Sequence, residues 1–187
     1  GINRKFDNLY RVSYSETENV DLISKIKHPI VKAVLSNYFK TIPPIEIVSL
    51  ADIPSQGSGL GSSSAFSVGL LNLLYYFTNK IKPIYDIANI ACDVEINKCK
   101  SPIGKQDQFG CAFGGLKKIK FNRNDIIVKK LQKKYSANLE NSLLFFYTGK
   151  VRKAESVLSS YKKNINNSKK TEYLKKILNL TDSFEKS

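Results

Sequence analysis

The chain has 187 residues, of which 42% are hydrophobic and 25% are charged, as is usual for a globular protein with a sizeable core. It has no apolar run near the roughly 18 residues that span a bilayer and no apolar stretch typical of a signal peptide, so we expect a cytoplasmic protein. The net charge of +14 comes from lysines scattered among asparagine and isoleucine, with no basic strand interleaved with aromatic residues. This pattern argues against nucleic-acid binding and indicates a solvated surface or anionic substrates.

The first half of the chain alternates between strand and helix patterns. Residues 9–15 alternate apolar and polar side chains and predict a strand. Residues 28–39 carry apolar side chains at helical spacing, and a Pro-Pro pair stops that helix. Residues 45–53 predict a second strand, which leads directly into a loop rich in glycine and serine.

The remaining elements follow from the same patterns. We predict helices over residues 63–77 and 84–98, and a β-hairpin from the sequence LKKIKF, a polar NRND turn and IIVKKL. Residues 142–147 (SLLFFY) predict a buried strand, and two lysine-rich helices follow near residues 153–161 and 171–184. The three cysteines are an odd count without CxxC spacing, and His28 is the lone histidine. We therefore expect reduced thiols, with no disulfide framework and no zinc site.

The break QKKYSANLEN, between Leu131 and Asn141, is the best candidate for a domain boundary. We predict a first domain over residues 1–135 and the beginning of a second domain over residues 136–187. The chain contains no methionine and opens on glycine. We expect that it begins inside a larger protein.

The glycine-rich loop, PSQGSGLGSSSAF at residues 54–66, lies between a predicted strand and a predicted helix. Glycines permit positive φ and a close backbone approach, and a helix N-terminus attracts anions. Serines just before an apolar run are good N-caps. The loop fits neither GxxxxGK[ST] nor GxGxxG. A flexible linker remains the alternative, although Leu60 and the immediate helix start favour a phosphate-binding loop.

The segment PSQGSGLGSSSA resembles the second motif of the GHMP kinases, which include galactokinase, homoserine kinase and mevalonate kinase. The resemblance implies an ATP site without a Walker lysine. It implies a magnesium ligand at Ser63 and caps or phosphate donors at Ser62 and Ser64. The predicted nucleotide-binding residues are Gly57, Ser58, Gly59, Leu60, Gly61, Ser62, Ser63 and Ser64.

Glu95 shares the inward stripe of its predicted helix with Ala88 and Ala91. A carboxylate there costs several kcal/mol unless it is paired or binds a cation. It could instead lie at the edge of the stripe, reaching solvent or Lys98. The resemblance implies that Glu95 completes the magnesium site with Ser63.

Asp107 lies between two glutamines in IGKQDQFGCAFGG, before a small-residue helix start, where an N-cap role is the alternative. The resemblance implies that Asp107 is the catalytic carboxylate, which accepts the hydroxyl proton or orients the attacking hydroxyl. The neighbouring residues predicted to contact substrate are Gly104, Lys105, Gln106 and Gln108. Gln106 and Gln108 could instead be structural.

The segments GKQDQFGCAFGGLKKIKF and LLFFYTGKVRKAESVL resemble GHMP sugar-1-kinases acting on D-glycero-D-manno-heptose 7-phosphate. This similarity runs from Ile2 to about Leu178. It implies ATP- and Mg²⁺-dependent phosphorylation of an anomeric hydroxyl, towards nucleotide-activated heptose for surface polysaccharide. Lys105, Arg152 and Lys153 could hold the 7-phosphate. The alternatives are a GHMP kinase of the galactose, fucose or mevalonate type, a non-catalytic fragment, or a basic binding module. A homodimer is left open.

The fold implied by the resemblance is α+β, with a mixed β-sheet covered by helices and the start of a ferredoxin-like C-terminal domain. Two motifs of the family do not occur in the chain. These are the N-terminal Gly-Gly-Gly-Thr-Asp-like segment and the C-terminal glycine-rich loop that supports the phosphates. We therefore expect that the chain is truncated at both ends and lacks part of the site.

Overall fold

A computed structural model describes residues 1–52, 59–146 and 168–186 of the chain. The chain divides into two compact units, Gly1–Arg152 and Lys153–Ser187. The first unit holds a four-stranded sheet, a β-hairpin and the helices that carry the candidate site. The predicted boundary between residues 135 and 136 stays a prediction.

The four-stranded sheet is mixed, as the sequence predicts. Its strands are β1 (Ile2–Arg4), β2 (Tyr10–Ser13), β3 (Thr17–Val20) and β4 (Ile45–Val48), in the order β1-β4-β2-β3. The β2–β4 pair is parallel, and the two outer pairs are antiparallel. The predicted strands at 9–15 and 45–53 are confirmed in shorter form, whereas β1 and β3 are additional strands. Sequence patterns miss β1 and β3 because INR and TENV are short and mostly polar.

Helices cover the sheet and build the core. They are α1 (Pro29–Tyr38), α2 (Ser62–Phe77), α3 (Ile84–Cys92) and α4 (Gln106–Phe113), with a 3₁₀ turn at Ile23–Lys25. Residues of α1 and α2 such as Val31, Leu35 and Leu71 are fully buried with Val12 and Ile45 of the sheet. None of the helices in the described part of the chain is long and apolar enough to cross a bilayer.

The predicted hairpin is confirmed as β5 (Lys117–Phe121) and β6 (Ile126–Lys130), paired antiparallel. Its apolar face, including Ile119 and Val128, packs against a small cluster around the fully buried Phe109 of α4. This packing stabilises α4, which also contacts α2 and α3. The helix that carries Asp107 is therefore held between three elements.

The second half of the chain differs from the prediction in two elements, because a helix occupies the segment QKKYSANLEN that was predicted as a break, and the strand predicted after it does not form over its described residues. Lys133–Ser142 forms α5, and residues 143–146 pair with no strand among the described residues. The predicted strand at 142–147 is wrong over residues 142–146, where Leu144 and Phe145 are more than 80% exposed. An apolar run forms a strand only beside another strand that shares its hydrogen bonds. The predicted C-terminal helix is confirmed as α6 (Ser168–Lys186), while Tyr147 and residues 153–161 lie outside the described residues.

Candidate functional site

The described part of the glycine-rich loop ends in two left-handed glycines that turn the chain into α2. Gly59 has φ +72° and Gly61 has φ +68°, a conformation that favours glycine. Gly61 occupies the N-cap position of α2, and Ser62 and Ser64 lie inside the first turn, so the residue at the cap position is a glycine and not a serine. A helix N-terminus presents backbone N–H groups and the positive end of the helix dipole to an anion. Of the predicted loop residues, Gly57 and Ser58 lie outside the described residues.

Glu95 lies deep beneath the start of α2. Only 2% of its surface is exposed, and both carboxylate oxygens accept hydrogen bonds. The Ser63 hydroxyl donates to Oε2 at 2.7 Å, and the Gln108 amide nitrogen donates to Oε1 at 2.9 Å. The alternative pairing with Lys98 is wrong, because Lys98 forms its ion pair with Asp93 at 3.6 Å. Two of the predicted site residues, Ser63 and Glu95, are therefore in direct contact.

The backbone around Glu95 is a π-helical turn, Asp93–Lys98, that continues directly from α3. The Asp93 carboxylate anchors this turn to α1 by accepting a hydrogen bond from the Tyr38 hydroxyl, and it also accepts one from Asn97. Such turns are rare and occur frequently at functional sites, because the wider winding changes the direction of side chains. Helical periodicity locates Glu95 on the buried stripe, but it does not reveal this change of winding.

Gln108 holds the second oxygen of Glu95 from α4. Its side chain is fully buried, and its amide oxygen Oε1 has no hydrogen-bond partner in the part of the chain that the structure describes. A carboxylate only accepts hydrogen bonds, so the amide nitrogen must face Glu95 and the oxygen is left unpaired. Such a buried, unpaired acceptor costs about 1–3 kcal/mol. The predicted substrate residue Gln108 is thus directed at Glu95 and away from solvent.

Asp107 lies against the glycine-rich loop and is exposed. A methyl group placed on Gly61 would lie 3.6 Å from both Cβ and Cγ of Asp107. Asp107 lies in the first turn of α4, and the N-cap of that helix is Lys105. The alternative role of Asp107 as the N-cap is therefore wrong. Gly104, Lys105 and Gln106 are exposed next to it, whereas Arg152 and Lys153 lie outside the described residues. An acceptor molecule could therefore reach Asp107 from solvent.

The three cysteines are free thiols around these carboxylates. Burial raises the pKa of Cys92 to about 11; the charge of Glu95 adds to this shift and that of Lys105 opposes it. Burial and then the charge of Asp107 raise the pKa of Cys111, whose sulfur lies 4.0 Å from the Gly61 carbonyl oxygen. These thiols are therefore protonated at neutral pH. Sequence analysis did not place Cys111 beside the loop, although its i+4 spacing from Asp107 puts both on one face of α4.

The oxygen atoms around Glu95 fit a divalent cation such as Mg²⁺. Ser63 offers a hydroxyl and Glu95 a buried carboxylate for which no ion pair occurs among the described residues. Mg²⁺ prefers oxygen ligands and is commonly bound through one or two carboxylates together with substrate phosphates. Within the described ranges no three His, Cys, Asp or Glu side chains converge on one point. A cation at Ser63 and Glu95 would therefore need further oxygens, which a nucleotide can supply.

We expect Gly61→Ala to destabilise the protein and to weaken nucleotide binding. The left-handed φ of +68° costs a residue with a Cβ about 1–2 kcal/mol, and relaxation of that strain would move the loop away from Asp107. The matched control is Gly69→Ala inside α2, where a Cβ meets nothing within 4 Å and helix propensity favours alanine. Thermal unfolding should show opposite signs for the two variants. Equal changes in melting temperature would contradict the assigned role of Gly61.

Proteins similar to this chain have been described from two bacteria. The D-glycero-alpha-D-manno-heptose 7-phosphate kinase of Campylobacter jejuni is 27% identical over 175 residues, covering 89% of this chain and 51% of that protein. A D-glycero-D-manno-heptose 1-phosphate kinase from Bacteriodes thetaiotaomicron shares the fold with a TM-score of 0.64 at 23% identity, covering 72% of this chain and 48% of that one. A second solved structure, from Campylobacter jejuni, gives a TM-score of 0.61 at 23% identity, covering 72% and 46%. The chain thus spans about half the length of each of these proteins.

The family is decided by the match to a family profile. The profile of the GHMP kinases N-terminal domain matches residues 9–115, which is more than half of the chain. The matched range runs from the second strand to the end of α4 and includes the glycine-rich loop, Glu95 and Asp107. The mixed sheet with helices packed on it agrees with the GHMP fold predicted from the sequence. This chain belongs to the GHMP kinase family.

Proposed function

We propose that this chain is the nucleotide-binding part of a kinase that transfers the γ-phosphoryl group of ATP to a sugar phosphate. The observation that carries the proposal is the convergence of three separate segments. Ser63 of α2 contacts Glu95 of the π-helical turn, and Asp107 of α4 lies beside Gly61 at the start of α2. Phosphoryl transfer needs mainly positioning and charge stabilisation, and these groups can supply both.

Each group has a role that its position supports. The backbone N–H groups of residues 57–64 and the start of α2 bind the phosphates of ATP. Ser63 and Glu95 hold Mg²⁺, which when bound neutralises charge on the phosphate oxygens. Asp107 is exposed beside the loop and orients the acceptor hydroxyl, whose proton it can take.

The acceptor in this proposal is the anomeric hydroxyl of D-glycero-D-manno-heptose 7-phosphate. The support is the resemblance of the segment around Asp107 to the heptose kinases and the similarity to the Campylobacter jejuni protein with that name. The exposed residues Gly104, Lys105 and Gln106 lie where they could meet such a substrate. The product would feed the synthesis of nucleotide-activated heptose for surface polysaccharide, in the cytoplasm where ATP is available.

The proposal is tested by measuring ATP consumption with a set of acceptors. We expect turnover with heptose 7-phosphate to exceed that with galactose, fucose and mevalonate at least ten-fold. Phosphorus NMR of the product should show a second phosphate, attached to the anomeric carbon. The assay needs both this chain and the polypeptide at its natural length, because the chain spans half of its relative. Preference for an unphosphorylated acceptor would contradict the proposed substrate. Salt-dependent binding of RNA in place of ATP would contradict the proposed kinase activity.

A further inference from the structure

Gln108 contacts the candidate site, yet the proposed function does not use its position. It is fully buried in α4, directly after Asp107, and its amide nitrogen donates to Glu95 Oε1 at 2.9 Å. Its amide oxygen, also buried, has no hydrogen-bond partner among the described residues. Most buried polar atoms in proteins are paired, so an unpaired one requires an explanation.

The unpaired oxygen follows from the chemistry of Glu95. If the amide turned over, its oxygen would face a carboxylate oxygen, and two acceptors would meet without a proton between them. An apolar side chain of similar length would leave no unpaired group at position 108, but it would remove the donor of Glu95 Oε1. The amide therefore leaves its own oxygen unpaired, while its nitrogen satisfies and orients the buried carboxylate of Glu95.

The hydrogen bond from Gln108 fixes the orientation of the Glu95 carboxylate, so that its other oxygen faces Ser63. With Oε1 held by Gln108, Oε2 lies 2.7 Å from the Ser63 hydroxyl, at the N-terminus of α2. Ser63 is exposed, whereas Glu95 and Gln108 are buried beneath it. Two hydrogen bonds therefore connect the exposed Ser63 through Glu95 to the buried Gln108.

We propose that Gln108 is a positioning residue for the cation site, which holds Glu95 through its amide nitrogen so that the other carboxylate oxygen faces Ser63. Groups that orient a metal ligand typically change metal affinity 10- to 100-fold when they are replaced. This inference rests on the proposed function.

The test compares cation binding with folding in the same variant. Gln108→Met keeps the length of the side chain and removes both amide groups. We expect about ten-fold or weaker binding of Mn²⁺, titrated calorimetrically with a non-hydrolysable ATP analogue in excess. The melting temperature without cation should fall, because Glu95 Oε1 loses its buried donor, a cost that removal of the unpaired oxygen of Gln108 offsets only in part. Gln132→Met, an exposed residue outside the site, is the matched control and should change neither quantity.

A double exchange separates positioning from packing. Glu95→Gln combined with Gln108→Glu restores one amide, one carboxylate and their hydrogen bond, but it moves the charge away from Ser63. Because the hydrogen bond between the two positions is restored, we expect the melting temperature to rise above that of Gln108→Met, while Mn²⁺ binding stays at least ten-fold weaker. If the exchange restores Mn²⁺ binding, or if Gln108→Met leaves it within two-fold, the inference is overturned and the proposed function stands. If the natural protein binds neither Mn²⁺ nor the ATP analogue, both are overturned.

Discussion

Asp107→Asn is expected to lower the turnover of the kinase about 100- to 10,000-fold while leaving nucleotide affinity within a few-fold. The substitution keeps the size of the side chain and its contact with Gly61, but it removes the group that can accept the proton of the acceptor hydroxyl. Asp107 lies in the first turn of α4 and does not cap it, so little effect on folding is expected. Steady-state kinetics with heptose 7-phosphate and calorimetric titration of the ATP analogue measure the two effects separately.

Asp125→Asn is the control for Asp107. Asp125 is also exposed, but it lies in the turn between β5 and β6, where its backbone oxygen accepts a hydrogen bond from Asn122. Its variant should keep normal turnover. If Asp107→Asn retains turnover within about three-fold of the natural protein, Asp107 is not the catalytic carboxylate.

Glu95→Gln is expected to abolish Mg²⁺-dependent activity and to make the protein more stable when no cation is present. The glutamine oxygen can accept from Gln108 as Oε1 does, and its nitrogen can donate to the Ser63 oxygen in place of Oε2. Both hydrogen bonds then remain, and the buried charge is gone. A gain of about 1 kcal/mol would raise the melting temperature by about 2–4 °C. Activity should fall on the order of 100-fold or more, since a cation ligand is lost.

Removing the charge of the neighbouring Asp93 should have the opposite effect on the melting temperature. Asp93 pairs with Lys98 and accepts from the Tyr38 hydroxyl and from Asn97, and the hydrogen bond from Tyr38 is the first cause of its lowered pKa. Asp93→Asn should therefore lower the melting temperature. Calorimetry in chelator-treated buffer compares the two variants. A lower melting temperature for Glu95→Gln would show that the charge of Glu95 stabilises the fold, against the assignment of a cation site.

Local patterns in the sequence predicted most elements of the first unit. Apolar spacing located α1, α2 and the β5–β6 hairpin, because each buries a face whose period the sequence displays. Patterns failed where pairing partners decide the structure. β1 and β3 lack an apolar pattern and are strands because neighbours pair with them, whereas residues 143–146 have that pattern and pair with no described strand.

The sequence by itself identified the glycine-rich loop, Glu95 and Asp107 as candidate site residues, through local patterns and through the resemblance of these segments to the GHMP kinases. Only the tertiary structure decided how they meet: Glu95 turns inwards on a π-helical turn, and Gln108 faces Glu95 from another helix. The physical reason is that a hydrogen bond between residues 13 or 32 positions apart depends on how helices pack. Helix packing is set by the whole core, so the spacing of apolar residues within one segment does not predict which helices meet.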